Sequence, residues 1–419
     1  MSIPINPNIL VWARQSAGLT IDDAAEKLGL STTAKSSAAE KLAALESGQT
    51  QPTRSQLNSF ANVYKRPLLN FYLSEPPRKG DRGQDFRQTP EARGSRDNGM
   101  LDALLRDVKA RQEMVRDILL DDDNFKRPDF VGSARMQDGV PDIVQRMANR
   151  LGFAHTDISL RSGNSEDLFT RLRMAVESIG VFVLVLGDLG SHHTSIAASV
   201  FRGFAIADVV APFVVINGKD AQPARAFTLI HELAHIWLGQ SGVSGDISTS
   251  APTSDSARIE RFCKDVAGEF LLPEKHFRHS SVRFNPTDVE GARACIDLVA
   301  GRWSVSEPMV AYRFQRSGEL SAGAYEALRS EYHRRWIAKL ARDRERNADR
   351  EGGPSAYTIK KFNLGNALID VVNRGFKEKS LTYTKAATLL GSKAISVSNF
   401  LSFVEDKRRA QRTKVGGQS

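Results

Sequence analysis

The stretch FTLIHELAHIWL, residues 227–238, decides how this chain is read. It sets His231, Glu232 and His235 in the spacing H-E-x-x-H. On an α-helix, residues four apart share one face, so the two imidazoles can reach a single ion. Glu232, one residue on from His231, can address a water held at that ion instead. Zinc brings such a water's pKa toward neutrality, and a neighbouring carboxylate can then take its proton. The flanks (Phe227, Leu229, Ile230, Leu233, Ala234, Ile236, Trp237 and Leu238) are apolar and read as a buried helix. Ionisable groups in such a run are costly unless something compensates them, so they ask for a function. At ordinary His and Glu frequencies, chance supplies the pattern in about 1% of chains this long.

Hydrolytic zinc sites take a third protein ligand and keep the fourth position open. Downstream, RIERFCKDVAGEFLLP (258–273) reads as a second amphipathic helix, with Ile259, Phe262, Val266, Phe270 and Leu271 near one face. Glu260 falls in its first turn and is the best-placed carboxylate. Glu269 comes late in the same helix and Asp255 in the loop before it. His192 and His193, from a Gly/Ser loop upstream, would make a histidine-rich site instead. Spacing alone leaves these alternatives open.

FTLIHELAHIWLG and IERFCKDVAGEFLLP, preceded by RGFAIADVVAPFVVIN, together resemble the ImmA/IrrE family of metallopeptidases over residues 166–273. The resemblance implies zinc (Zn2+) held by His231, His235 and a glutamate thirteen residues before the proline of the next helix, which is Glu260 before Pro273. It also implies cleavage of one specific protein, of the repressor or antitoxin type. Lys264 or Asp265 stands where the family usually carries Asn.

The bulk numbers fit a multidomain chain. At 419 residues it has length for two to four domains. Its net charge of +9 and pI near 9.5 favour nucleic acid or another acidic partner. The two cysteines, Cys263 and Cys295, read as core thiols rather than as a disulfide or ligands. With no apolar run near the ~18 residues of a membrane span and no signal-peptide pattern, a reduced, cytoplasmic protein without a membrane partner is expected.

Residues 1–78 read as a small helical domain. ARQSAGLTIDDAAEKLGLS, LESG and PTRSQLNSFANVY resemble the Xre/Cro type of helix-turn-helix, which implies DNA binding through residues 1–78. The segment before Glu46 is longer than usual and poor in base readers, leaving Lys35, Ser36, Ser37 and Lys41, so docking on protein is the rival use. Residues 79–165 read as a linker and helical bracing region. Residues 166–335 read as a zincin-like domain with strands at 181–187, 201–208 and 212–216 and a helix-turn-helix-like extension. Residues 336–419 read as a helical module with a basic, disordered tail from Asp406. The charged helix 334–350 reads as a solvated face. The expected fold is α+β and mainly helical, with a small sheet packed on the HExxH helix.

This reading leads to an intracellular zinc endopeptidase that cuts a specific partner, encoded next door, in a phage-defence, toxin–antitoxin or stress circuit. Its rival is a regulator whose zinc domain is a non-hydrolytic scaffold or sensor. Strand 201–208 is the expected edge for strand addition by a peptide substrate. Two restraints on access are expected: a mobile Gly/Ser/Thr-rich loop at 239–257, and the module after Gly353 lying across that edge.

Overall fold

The computed structural model describes residues 5–34, 36–77, 84–85, 95–153, 165–191, 194–244, 254–277, 284–348 and 353–416. The fold is α+β and mostly helical, with one small mixed sheet. Two compact units divide the chain, residues 1–82, 89–110 and 188–196 in the first and the remainder in the second.

The first unit opens with four helices, α1 (Pro7–Ser16), α2 (Ile21–Lys27), α3 (Ala38–Glu46) and α4 (Arg54–Val63). Their starts are written in the sequence: Thr20 caps α2, while Ser37 with Glu40 and Thr53 with Gln56 form capping boxes on α3 and α4. Ile9, Leu10, Ala13, Leu42, Leu57 and Phe60 close the core, and Arg14 ties α1 to Glu46 at 2.8 Å. Lys35 lies outside the described residues. Helix α5 (Ser95–Leu120) contributes residues to both units.

The second unit holds strand β1 (Gln84–Asp85), then helices α6 (Val140–Leu151) and α7 (Ser165–Ser178) and strands β2 (Phe182–Leu186), β3 (Gly203–Ile206) and β4 (Phe213–Asn217). Helix α8 (Gln222–Trp237), strand β5 (Gly242–Ser244) and helix α9 (Asp255–Leu271) follow. Then come α10 (Val289–Trp303), α11 (Glu307–Arg316), α12 (Ala322–Ala348), α13 (Ala356–Lys377), α14 (Tyr383–Leu390) and α15 (Val397–Gly416). The sheet order is β1-β5-β3-β4-β2, with β3 antiparallel to both its neighbours and β2 parallel to β4. Strands β2 and β4 are buried almost throughout, as their unbroken apolar runs require. In the turn from β3 to β4, the Asp208 carboxylate accepts from the backbone N–H groups of Val210 and Ala211.

Helix α8 lies against the sheet, α7 and α9, buried from Ala226 to Trp237. Its last carbonyls do not go unpaired. Gln240 N–H reaches His235 O, and Gly132 and Ala134 donate to the carbonyls of Ile236 and Trp237 at 3.1 and 3.0 Å. Phe130 stacks on Trp237 beside this cap.

Several expectations need correction. Strand β3 is not an edge, because β5 pairs with one side of it and β4 with the other. A peptide therefore finds no free hydrogen-bonding row on β3 while β5 is in place. The segment after α8 is not wholly irregular either: residues 242–244 form β5, residues 245–253 fall outside the described set, and Asp255 opens α9 instead of preceding it. That places Glu260 a turn deeper into its helix than expected. Helix α13 packs on β2 rather than across β3, and the basic tail from Asp406 continues α15 as helix to Gly416.

Candidate metal centre

Helix α8 projects His231 and His235 from one face, and α9, packed against it, brings Glu260 to the same point. His231 Nε2 and His235 Nε2 stand 3.2 Å apart. Glu260 Oε2 is 3.3 Å from His235 Nε2 and 3.4 Å from His231 Nε2. Around a metal bound at about 2.0–2.1 Å, tetrahedral ligands stand roughly 3.3–3.4 Å from one another. The three atoms thus form a triangle of the size such an ion needs, and all three residues are buried. The donor set of two imidazoles and one carboxylate suits a first-row divalent metal with a position left open.

Electrostatics agrees with the geometry. Burial by itself would raise the Glu260 carboxyl. The facing charges of His231 and Lys264, with hydrogen bonds from both histidines, outweigh it and hold Glu260 well below the usual carboxylate range. Burial lowers His235, the direction that favours the neutral imidazole a metal ligand requires. Glu232 goes the other way: burial first and the charge of Glu260 second push its carboxyl well above the ordinary range. Neither carboxylate oxygen of Glu232, nor His231 Nδ1, has a hydrogen bond of sound geometry among the described residues. The Ser244 hydroxyl faces this fully buried carboxyl and partly offsets the effect of burial.

The rival carboxylates are engaged elsewhere. Glu269 pairs with Arg313 and accepts from the backbone N–H of Glu274. Asp255 is exposed and pairs with Arg258. Asp265 accepts from Tyr312 Oη at 2.8 Å and from Arg316. His192 and His193 lie outside the described residues. Cys263 and Cys295 are buried free thiols.

Three more residues shape the site, of which sequence reasoning named only Lys264 and gave it no role. Lys264, buried one turn after Glu260, places Nζ 3.1 Å from Glu260 Oε1 and so puts a cation behind the carboxylate. The i, i+4 spacing was visible in the sequence; the burial was not. Ser244, at the end of β5, brings Oγ to 3.1 Å from His231 Nε2. Gly203 lets β3 lie directly on α8, since a Cβ there would sit 2.7 Å from both Glu232 Oε1 and Thr228 Cγ2. Only tertiary packing reveals these last two.

Residues 189–315, less than a third of the chain, match the model of the IrrE N-terminal-like domain (Peptidase_M78). The matched span contains the HExxH helix and Glu260, and it supports a metallopeptidase-type domain there; residues 1–78 lie outside it. No curated protein and no solved structure matches the chain. Among the described residues, no single helix is long and apolar enough to cross a membrane.

Proposed function

We propose that the second unit is a zinc endopeptidase that cuts one specific protein, of the repressor or antitoxin type, encoded beside it. The observation that carries this reading is the triangle of His231 Nε2, His235 Nε2 and Glu260 Oε2, with the fully buried Glu232 carboxyl on the same helix. Those three residues would hold zinc, which supplies Lewis acidity toward a peptide carbonyl and acidifies water. Glu232 takes the proton from the attacking water and delivers it to the leaving amine nitrogen. Its buried setting favours holding that proton between the two steps. Lys264 fixes the Glu260 carboxylate from behind.

The amino-terminal unit supplies the address. Its α3 exposes Glu40 and Ala43 where a groove-reading helix carries Arg, Asn or Gln, which suits a protein surface better than base edges. Lys41 is turned to the Ser31 carbonyl. Salt separates the two addresses: DNA held through phosphates dissociates steeply as salt rises, and a docked protein does not. Retention of promoter DNA by the full chain at low salt, lost on raising it, would assign the unit to DNA.

A second reading, a non-hydrolytic scaffold, draws on β5. This segment of the chain itself occupies the β3 edge and sets the Ser244 hydroxyl against His231 Nε2. Incubating wild type and Glu232→Gln with the neighbouring gene product, followed by intact-mass analysis, decides. The expected result is one cut, made by wild type only. Unchanged mass and an equal stable complex with both proteins would assign the site to the scaffold.

Gly203→Val gives a further check on Glu232. The added side chain drives into Glu232 while the three converging atoms stay on other side chains. Metal content should hold near wild type and cleavage should fall by about 100-fold or more, as expected when a general base is displaced. Equal loss of metal and cleavage would show that Gly203 serves the fold alone.

A further inference from the structure

A cavity of about 1060 Å³ opens from the site, with His231, Glu232, Ser244 and Lys264 among its lining. Its other wall is one long face of α12, a helix whose charge by sequence alone reads as a solvated surface. From the buried Tyr325 and Tyr332 that face runs through the half-buried Arg329 and Trp336 to the exposed Lys339 and Arg342. The eighteen residues from Tyr325 to Arg342 extend roughly 25 Å, the length of about seven residues of extended peptide.

Charge along this cleft is uneven. The acids of the lining are matched: Asp220 lies 2.9 Å from Arg202, and Glu307, with Asp297 against it, is 3.0 Å from Arg335. Arg334, Lys339 and Arg342, exposed on α12, meet no carboxylate among the described residues. A cleft whose acids are matched and whose α12 wall carries surplus cations suits a peptide chain with clustered acidic side chains. A nucleic-acid strand fits worse, because its continuous phosphates would also meet Asp220, Asp297 and Glu307 in the same lining.

Resting on the peptidase reading above, we propose that this face of α12 selects a protein segment carrying clustered Asp or Glu side chains beside the scissile bond. Arg334, Lys339 and Arg342 confer the preference, and Trp336 gives the extended chain an apolar surface to lie on. The exposed cations act mainly through long-range attraction, so the preference weakens with salt.

The test uses full-length Glu232→Gln and fluorescent peptides with one shared Ala/Val segment, followed by a run of Glu, of Ser or of Lys. Anisotropy at low salt should show the Glu peptide bound about ten-fold more tightly than the Ser peptide, with the gap closing as salt is added. The triple variant Arg334→Ser, Lys339→Ser, Arg342→Ser should abolish that gap; these are exposed helix positions, and circular dichroism checks the fold. Equal binding of the three peptides, or an undiminished gap in the triple variant, overturns the proposal. So does a single-stranded oligonucleotide that binds more tightly than the Glu peptide through the same three cations. If wild type cuts Glu and Ser peptides with equal kcat/KM, the peptidase reading stands and the charge selection falls. If the Glu preference holds but wild type cuts nothing, the reverse is true.

Discussion

His235→Ala should empty the metal centre. Wild type is expected to retain one ion per chain after dialysis, and the variant almost none, read by elemental analysis. Changes in the groups that merely orient a ligand cost about 10–100-fold in metal affinity, so removal of a ligand should cost well beyond that. The triangle explains why: with His235 gone, His231 Nε2 and Glu260 Oε2 remain as a pair 3.4 Å apart, and no other imidazole or carboxylate in the described residues joins them. Glu260→Gln tests the carboxylate. It keeps the shape and removes the charge that His231 and Lys264 hold in place, so it should weaken binding strongly. Glu269→Gln and Asp255→Asn should leave metal content unchanged, because their side chains face Arg313 and solvent. Full occupancy in His235→Ala sinks the centre as drawn. Loss in Glu269→Gln with retention in Glu260→Gln would show the wrong carboxylate had been chosen.

How much of this was legible beforehand follows from the range of the forces involved. The HExxH spacing is local, and helical geometry alone puts His231 and His235 on one face. Helix α9 announced itself by its apolar stripe, but spacing left Glu260, Glu269 and Asp255 open, and the resemblance singled out Glu260. Capping residues such as Thr20 and Ser37 are equally local signals. Strand order is not local. The sequence of β3 has the same apolar character whether β5 covers its edge or not, and β5 itself is three residues in a Gly/Ser-rich stretch without strand-like alternation. Lys264 reads as an ordinary surface lysine until α9 is seen to bury it. The basic face of α12 has the opposite character: its residues look solvated in sequence and only the packing of the unit brings them to the cleft.

Arg173→Met should be the most damaging change away from the metal. This arginine, nearly all buried on α7, is the point where three parts of the second unit meet. It pairs with Glu177 at 3.2 Å and donates to the carbonyls of Val183 in β2 and of Phe362 and Asn363 in α13. Glu177 in turn accepts from the backbone N–H of Asn366 at 3.1 Å. The chain makes room by breaking α13 at Gly365, whose φ of +76° suits glycine and whose missing Cβ would collide with Glu177, Arg173 and the Val183 carbonyl. Burial pushes Glu177 upward even with its partner present, so without Arg173 its charge has no compensation. Removing one member of a buried ion pair costs about 3–5 kcal/mol, and urea denaturation should show a loss of that size. Replacing both, Arg173→Met with Glu177→Leu, should cost less than Arg173→Met alone, because the orphaned charge leaves with its partner. A double variant as unstable as the single would mean that the carbonyls of β2 and α13, not Glu177, are what Arg173 serves. Since α13 is a packed layer on β2 held through this junction, truncation after Gly353 should destabilise the second unit instead of unveiling its cleft. A truncated chain that unfolds at the wild-type urea midpoint would return the carboxyl-terminal helices to the role of a removable cover.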